Sequence, residues 1–450
     1  MGRSGDGRAW ARAKLALVIE VVARQFSLFS VLRHREFRVY WIGLQSQVIG
    51  QQMMQFTLGW LAFELTRSPL TVGYVTLFLG IPPITIGLLG GVLADRMDQR
   101  KVIATAQATA TAVMMVIATL TIIQRIEVWH LMLAAFVLGS VFSFDQPSRQ
   151  SLYPRLLPNR ALLAQAVPLN AMTWQISRPL APVLGGFIIA YAGSGLTQGA
   201  GPAFATAGAS FLTMGVLILR LRPSPNETPP TGSFVRNLVE GMRYVQGHTL
   251  FRVVLGMTYV NSLAGLGFIF LLPVFAGEVL DVDARGLSAL WAGGGAGSFL
   301  AVLTTPAILR RYPAGRVMLA QGLLFGASLL VFSFTRSLVA GVAIQVVVGF
   351  GSLAYMMAVE VTIQTSVPDS LRGRVMSLYG LAWTFPALGS AGLNFIAEAI
   401  GSPGALALGG ATVLANVALV GLFSRGIRDL PLTSRSRGPA GLAETPAGVS

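Results

Sequence analysis

Residues 90–103 read GGVLADRMDQRKVI. Two glycines lead into an acidic–basic pair, Asp95-Arg96, and then into Arg100-Lys101. Apolar runs near 72–94 and 102–124 stand on either side. Each run has the roughly 20 residues that a helix needs to cross a bilayer. The stretch therefore reads as a tight charged turn between two membrane spans. Gly91 permits a close helix contact, and Asp95 can accept hydrogen bonds from a neighbouring helix N-terminus. Arg96, Arg100 and Lys101 would hold the turn at one membrane face.

Working outward, the same kind of run recurs along the 450 residues, near 39–64, 72–94, 102–124, 128–146, 161–193, 202–221, 253–277, 286–309, 316–335, 338–365, 374–399 and 403–424. The composition agrees: 53% of residues are hydrophobic and only 11% charged. A soluble chain carries about 25% charged residues to keep its surface wet, so most of this exterior meets lipid. The 51 glycines and 23 prolines suit membrane helices, where small residues let backbones approach. The chain has no cysteine, which excludes disulfides, thiolate metal sites and cysteine nucleophiles. Its three histidines, His34, His130 and His248, have no metal-ligand spacing.

A net charge of +15 would suggest nucleic acid in a soluble protein, but its placement says otherwise. With both termini and every second connection assigned to one side, that side holds 28 of the 33 Lys and Arg residues. The other side holds Arg67, Arg125, Arg285 and Arg336, and Arg178 alone lies within a span. Positive charge marks the cytoplasmic face. Both termini are expected there, in a multi-pass protein of the cytoplasmic (inner) membrane with no nucleic-acid partner. Within the cytoplasmic N-terminal segment 1–38, residues 8–32 are apolar but broken by Arg12, Lys14, Glu20 and Arg24. They read either as an interfacial helix on an anionic leaflet or as a poorly ordered basic extension. The tail 426–450 is expected to be disordered.

The one long connection, 222–252, is polar and opens with Pro223, Pro225, Pro229 and Pro230, which marks a linker between halves at 39–221 and 253–425. The halves share a repeat. Arg100-Lys101 stands 210 residues before Arg310-Arg311, and Pro158-Asn159 stands 210 before Pro368-Asp369. Repeated units are common in transporters. The fold class is all-α membrane protein, with twelve transmembrane helices in two six-helix halves.

The 90–103 turn resembles the signature of the major facilitator superfamily, G-x-L-A-D-R-x-G-R-K-x-x-L. Gly91, Leu93, Ala94, Asp95 and Arg96 fit it, Asp98 stands where the second glycine usually does, and Arg100 and Lys101 supply its basic pair one position later. The resemblance implies that Asp95 engages the other half as part of a conformational switch that steadies the outward-open state; Arg149 is grouped with it. FDQPSRQSLYPRLLP (144–158) and VPDSLRGRVMSLY (367–379) look like the branch containing enterobactin-type siderophore and macrolide exporters. SRPLAPVLGG (177–186) is similar to the G-P-x-x-G-G helix-packing motif of proton-coupled antiporters, with Pro182, Gly185 and Gly186 in place and Ala181 for the first glycine. The arginine such antiporters carry in span four is missing, since no Arg lies between His130 and Asp145.

Ionised groups within a span cost roughly 2.5–3.5 kcal/mol at its centre, so each needs a partner, a wet cavity or a shifted pKa. Arg178 lies deepest, as a cavity cation or a structural donor. Glu360, in the inner third of span ten, is a proton-carrying carboxylate or a solvated vestibule group. Asp145 ends span four as a pathway candidate or a member of the charge network around Asp95. Gln52, Asn170 and Gln175 complete the candidate polar lining, with Gln45, Gln47, Gln51, Gln55, Asn261 and Gln345 beside them.

The expected function is secondary active transport, with a proton-coupled exporter of a small hydrophobic or amphipathic molecule (drug, siderophore or metabolite) working by alternating access. The alternative is an uptake or lipid-moving transporter of the same fold; a membrane enzyme or sensor is more distant, because no P-loop appears. The small-molecule substrate and the lipid bilayer are the expected partners. No cofactor is expected beyond the proton gradient, and no catalytic or metal residue. The chain is expected to work as a monomer.

Overall fold

The predicted spans are helical in the computed structural model, which describes residues 29–87, 97–192, 196–222 and 234–428. Most of the 8–32 segment, the Gly91, Asp95 and Arg96 part of the charged turn, the Pro-rich start of the linker and nearly all of the C-terminal tail lie outside the described residues.

The helices are α1 (Arg35–Thr66), α2 (Pro69–Thr85), α3 (Gln99–Ile122), α4 (Val128–Leu152), α5 (Leu163–Tyr191) and α6 (Leu196–Leu219), then α7 (Phe234–Gly247) in the linker. Span seven is α8 (Thr249–Val260) and α9 (Phe268–Glu278), joined by a π-helical turn at Asn261–Leu266. After it come α10 (Ala284–Arg311), α11 (Ala314–Ser333), α12 (Leu338–Ser366), α13 (Asp369–Leu381) and α14 (Phe385–Phe423). No strand occurs among the described residues.

Among the described residues, eight stretches are long and apolar enough to cross a membrane by length and composition alone. The longest, Leu371–Phe423, holds the last two predicted spans. They part at Gly401, whose φ of 78° is one that glycine alone adopts without strain. The 32-residue α1 and 29-residue α5 are also long enough, and are the polar spans: α1 carries five glutamines and α5 carries Arg178.

Local chemistry sets the ends. Arg67 takes a left-handed φ of 54° after α1 and sends its N–H back to the Phe63 carbonyl, and Pro69 opens α2 where no helical N–H is needed. Asp98, the departure from the family signature, caps α3 by accepting the Arg100 backbone N–H at 3.0 Å. The Arg100 guanidinium also bonds this carboxylate and holds it below the usual carboxylate range. The aspartate thus starts a helix where a glycine would leave the turn uncapped.

The described residues up to Phe234, with Val282–Ala292, form one compact unit; Val235–Asp281 and the described residues from Gly293 form the other. In the first, α6 packs along α3 and α1, and α4 against α2 and α3. In the second, α14 packs along α11 and the π turn, and α11 against α12. These pairings correspond when the halves are superposed in sequence at an offset of 210. The close approaches correspond too. A Cβ on Gly139 of α4 would stand 2.4 Å from the Leu79 carbonyl oxygen, and one on Gly349, 210 residues on, 1.9 Å from that of Gly294. Buried aromatics, among them Phe56, Trp60 and Phe211 in the first unit and Phe275, Phe325 and Tyr355 in the second, fill the interiors. Phe187, Val339, Leu422 and Phe423 stand out from the surface, as lipid-facing side chains do.

Candidate functional site

Asp145 is fully buried on α4, and three donors converge on its carboxylate. Gln47 Nε2 of α1 donates to Oδ2 at 2.7 Å, Gln107 Nε2 of α3 to Oδ1 at 2.9 Å, and Arg149 Nε, one turn along α4, to Oδ2 at 2.8 Å. Arg149 is itself buried, with Tyr40 of α1 beside it. A carboxylate offers about four lone-pair sites, so three donors nearly saturate it. One side chain thereby ties three helices together at the end of span four. Arg149, grouped with Asp95 by the sequence, is held by Asp145 of its own helix, while Asp95 lies outside the described residues.

The second unit has a polar hub at the equivalent repeat position. Tyr355, 210 residues after Asp145, shares a 3.2 Å hydrogen bond with Thr258 of α8. Asn416 Nδ2 of α14 bonds both the Met257 carbonyl and Asn261 Oδ1, at 3.0 and 2.8 Å. The π turn opens on Asn261, and such turns inside helices are frequent at functional sites.

The remaining candidates concentrate on α1 and α5, which pack on each other. Gln52 is buried, while Asn170, Gln175 and Arg178 are half-buried. Gln45 Oε1 on α1 and Asn170 Oδ1, Gln175 Oε1 and Ser177 Oγ on α5 are buried atoms that no protein hydrogen bond engages. Arg178 is partnered. The α5 backbone adds polarity, because Pro179 and Pro182 supply no N–H to the carbonyls of Gln175 and Arg178 four residues back. Amide oxygens in an apolar surround, with no bond of their own, are expensive to keep. Two adjacent helices that keep several supply acceptors for a polar guest, with a guanidinium beside them.

Gly185 and Gly186 are close-contact points. A Cβ at Gly185 would lie 3.0 Å from Met53 Cγ of α1. At Gly186 it would lie 2.6 Å from Ser288 Cβ and 2.9 Å from the Ala284 oxygen, in the part of α10 belonging to the same unit. Gly186→Val is expected to destabilise by about 1–3 kcal/mol through overpacking and to depress transport. Gly256→Val, at a position with nothing within 4 Å, serves as the control. Equal transport by the two variants would refute the contact's importance.

Glu360 lies on α12, in the second unit. It is half-buried and accepts a 3.0 Å hydrogen bond from Gln364 Nε2 one turn on. The structure thus brings Asp145 and Arg149 together and places Asn170, Gln175 and Arg178 on one helix beside Gln52. Lys101 is exposed at the start of α3, while Arg100 reaches the Leu221 carbonyl at 2.9 Å. Sequence reasoning passed over Gln107, Tyr40, Tyr355 and Asn416. For Gln107 the available signal was a lone amide in the apolar part of span three.

A family model described as transmembrane secretion effector matches residues 26–437. The chain belongs to the major facilitator superfamily. This transporter is 25% identical over 394 residues to the multidrug efflux pump Tap of Mycolicibacterium fortuitum, across 84% of this chain and 92% of that one. It is 23% identical over 317 residues to the enterobactin exporter EntS of Escherichia coli, across 70% and 74%. The crystal structure of the nucleoside transporter NupG superposes with a TM-score of 0.69 at 15% identity, covering 87% of this transporter and 99% of NupG. The all-α major facilitator fold and the multi-pass membrane setting follow, and the protein is a transporter of small molecules, not an enzyme.

Proposed function

We propose that this transporter exports a small hydrophobic or amphipathic molecule against its gradient, driven by inward proton flow and working by alternating access. The observation that carries the reading is the set of unengaged amide oxygens on α1 and α5 beside Arg178, which would bind the polar part of such a molecule. Export is supported by likeness to Tap and EntS, whose names describe efflux and export. The basic residues gathered at one face support a cytoplasmic-membrane protein with both termini inside. It works as a monomer. Glu360 is proposed as the proton carrier: a half-buried carboxylate in a span has little to compensate its charge.

The test is substrate-dependent proton flux in proteoliposomes, over a panel of dyes, antibiotics and siderophores. Arg178→Ala is expected to weaken substrate affinity by about tenfold or more, the scale of one hydrogen bond to a charged group. Glu360→Gln is expected to retain substrate binding and exchange but to lose accumulation driven by the gradient. Transport indifferent to a protonophore would refute the coupling, and substrate-dependent inward flux would replace export with uptake.

A further inference from the structure

The linker between the halves carries a helix that the transport reading does not use. Helix α7, FVRNLVEGMRYVQG, ends at Gly247, and only His248 separates it from Thr249, where the membrane-crossing stretch of span seven begins. It is therefore held at the level of the bilayer surface. A cluster of rings fixes this corner: Tyr244 lies 4.1 Å from His248 and 5.5 Å from Phe251, centroid to centroid, and His248 Nδ1 is 2.8 Å from the Tyr244 carbonyl.

One face of α7 is taken by the protein. Gly241 is buried against α13, where a Cβ would come within 3.0 Å of the Arg374 carbonyl oxygen. Glu240 pairs with Arg374, so its negative charge is answered inside the fold. The adjoining face has no protein over it among the described residues. It presents Val239, 48% exposed, and Met242, 44% exposed, next to the exposed Arg243, and Arg252 stands exposed on the first turn of α8. Apolar residues bordered by arginines, on a helix tied to the start of a span, have the order of chemistry across a membrane interface: acyl chains, then anionic headgroups. Water alone would favour neither the exposed methionine nor the valine.

We propose that α7 is a bilayer-surface helix that binds anionic lipid, with Val239 and Met242 at the acyl boundary and Arg243 on the headgroup. A cytosolic protein would not account for the helix being tethered by one residue to a span. The single-sign charge left after Glu240 is paired fits an anionic surface.

The chain has no cysteine, so single-cysteine labelling needs no background substitutions. Met242→Cys and Val239→Cys would each carry a fluorophore, with Leu422→Cys, 68% exposed on the last span, as the membrane control. Full-length protein is reconstituted in phosphatidylcholine vesicles containing phosphatidylglycerol, with either lipid brominated to quench fluorescence. The expected result is quenching at 239 and 242 that is stronger with brominated phosphatidylglycerol than with brominated phosphatidylcholine. Arg243→Gln is expected to lower that preference about fivefold, the effect of one surface arginine, while Leu422→Cys is quenched as before. Quenching at 422 but at neither α7 site would overturn the proposal. Equal quenching by both lipids, unchanged by Arg243→Gln, would overturn the headgroup assignment. Quenching that fades as the protein-to-lipid ratio rises would give the face to a second copy and overturn it as well.

Discussion

Asp145→Asn is expected to be the most damaging isosteric substitution in the first unit, destabilising it by about 3–5 kcal/mol. The exchange removes one charge and almost no volume, so packing loss does not explain the effect. Arg149, 8% exposed in its side chain, would keep a buried cation with its counter-ion gone. The new amide would also turn an NH2 group toward Gln47 or Gln107, each of which already points an NH2 group at that carboxylate. In detergent, the melting temperature should fall by roughly 10 °C. Asp145→Asn combined with Arg149→Gln should recover part of that loss, because removing both charges leaves no unpaired ion. A single variant that melts with the wild type would refute the clamp, and so would a double variant whose loss is the sum of the two singles.

Asp145 marks the limit of what was legible in the sequence. Hydropathy made the spans legible, because it depends on which solvent a residue meets rather than on its partner. The repeat was legible in its loops, Arg100-Lys101 against Arg310-Arg311, where sequence signals are short and polar. In the interior it was not legible, since Asp145 and Tyr355 share a position in the repeat but no chemistry. What they have in common is a hydrogen bond to the first span of their half, and only packing reveals it. Asp145 stands out in sequence as an unusual group, yet two of its three donors, Gln47 and Gln107, lie 98 and 38 residues away. The proline-rich start of the linker hid α7, because the stretch was read as one polar connection. Its apolar face becomes visible only when 234–247 is separated from what precedes it.

Glycines make the same point, and the second large effect rests on one of them. Gly349→Ala is expected to force α10 and α12 apart. The added methyl would stand 1.9 Å from the Gly294 carbonyl oxygen and 2.7 Å from its carbonyl carbon, and both are backbone atoms that cannot rotate away. Three residues from Gly294 along α10, Gly297 meets the Val346 oxygen at a Cβ distance of 1.8 Å, so the contact runs for about a turn on both helices. Ser298 Oγ also donates across it to the Gly349 carbonyl at 3.2 Å. Membrane helices have no hydrophobic drive between them, so close packing of this kind is the main attraction and separation forfeits it. A gap of about 1 Å loses up to half of each dispersion contact along the seam. Alanine is a better helix former than glycine by about 1 kcal/mol, which opposes the clash without matching it. The net cost expected is about 1–3 kcal/mol, read as earlier thermal unfolding in detergent. Gly256→Ala, where a Cβ meets nothing within 4 Å, isolates the helix-forming gain and should leave stability unchanged or raised. Gly139→Ala should repeat the loss in the first unit, against the Leu79 carbonyl. If Gly349→Ala and Gly256→Ala unfold together, the close approach is not what holds these helices. If Gly139→Ala and Gly349→Ala both fail while Gly256→Ala does not, the repeat preserves a contact whose residue type alone, among 51 glycines, could never have singled it out.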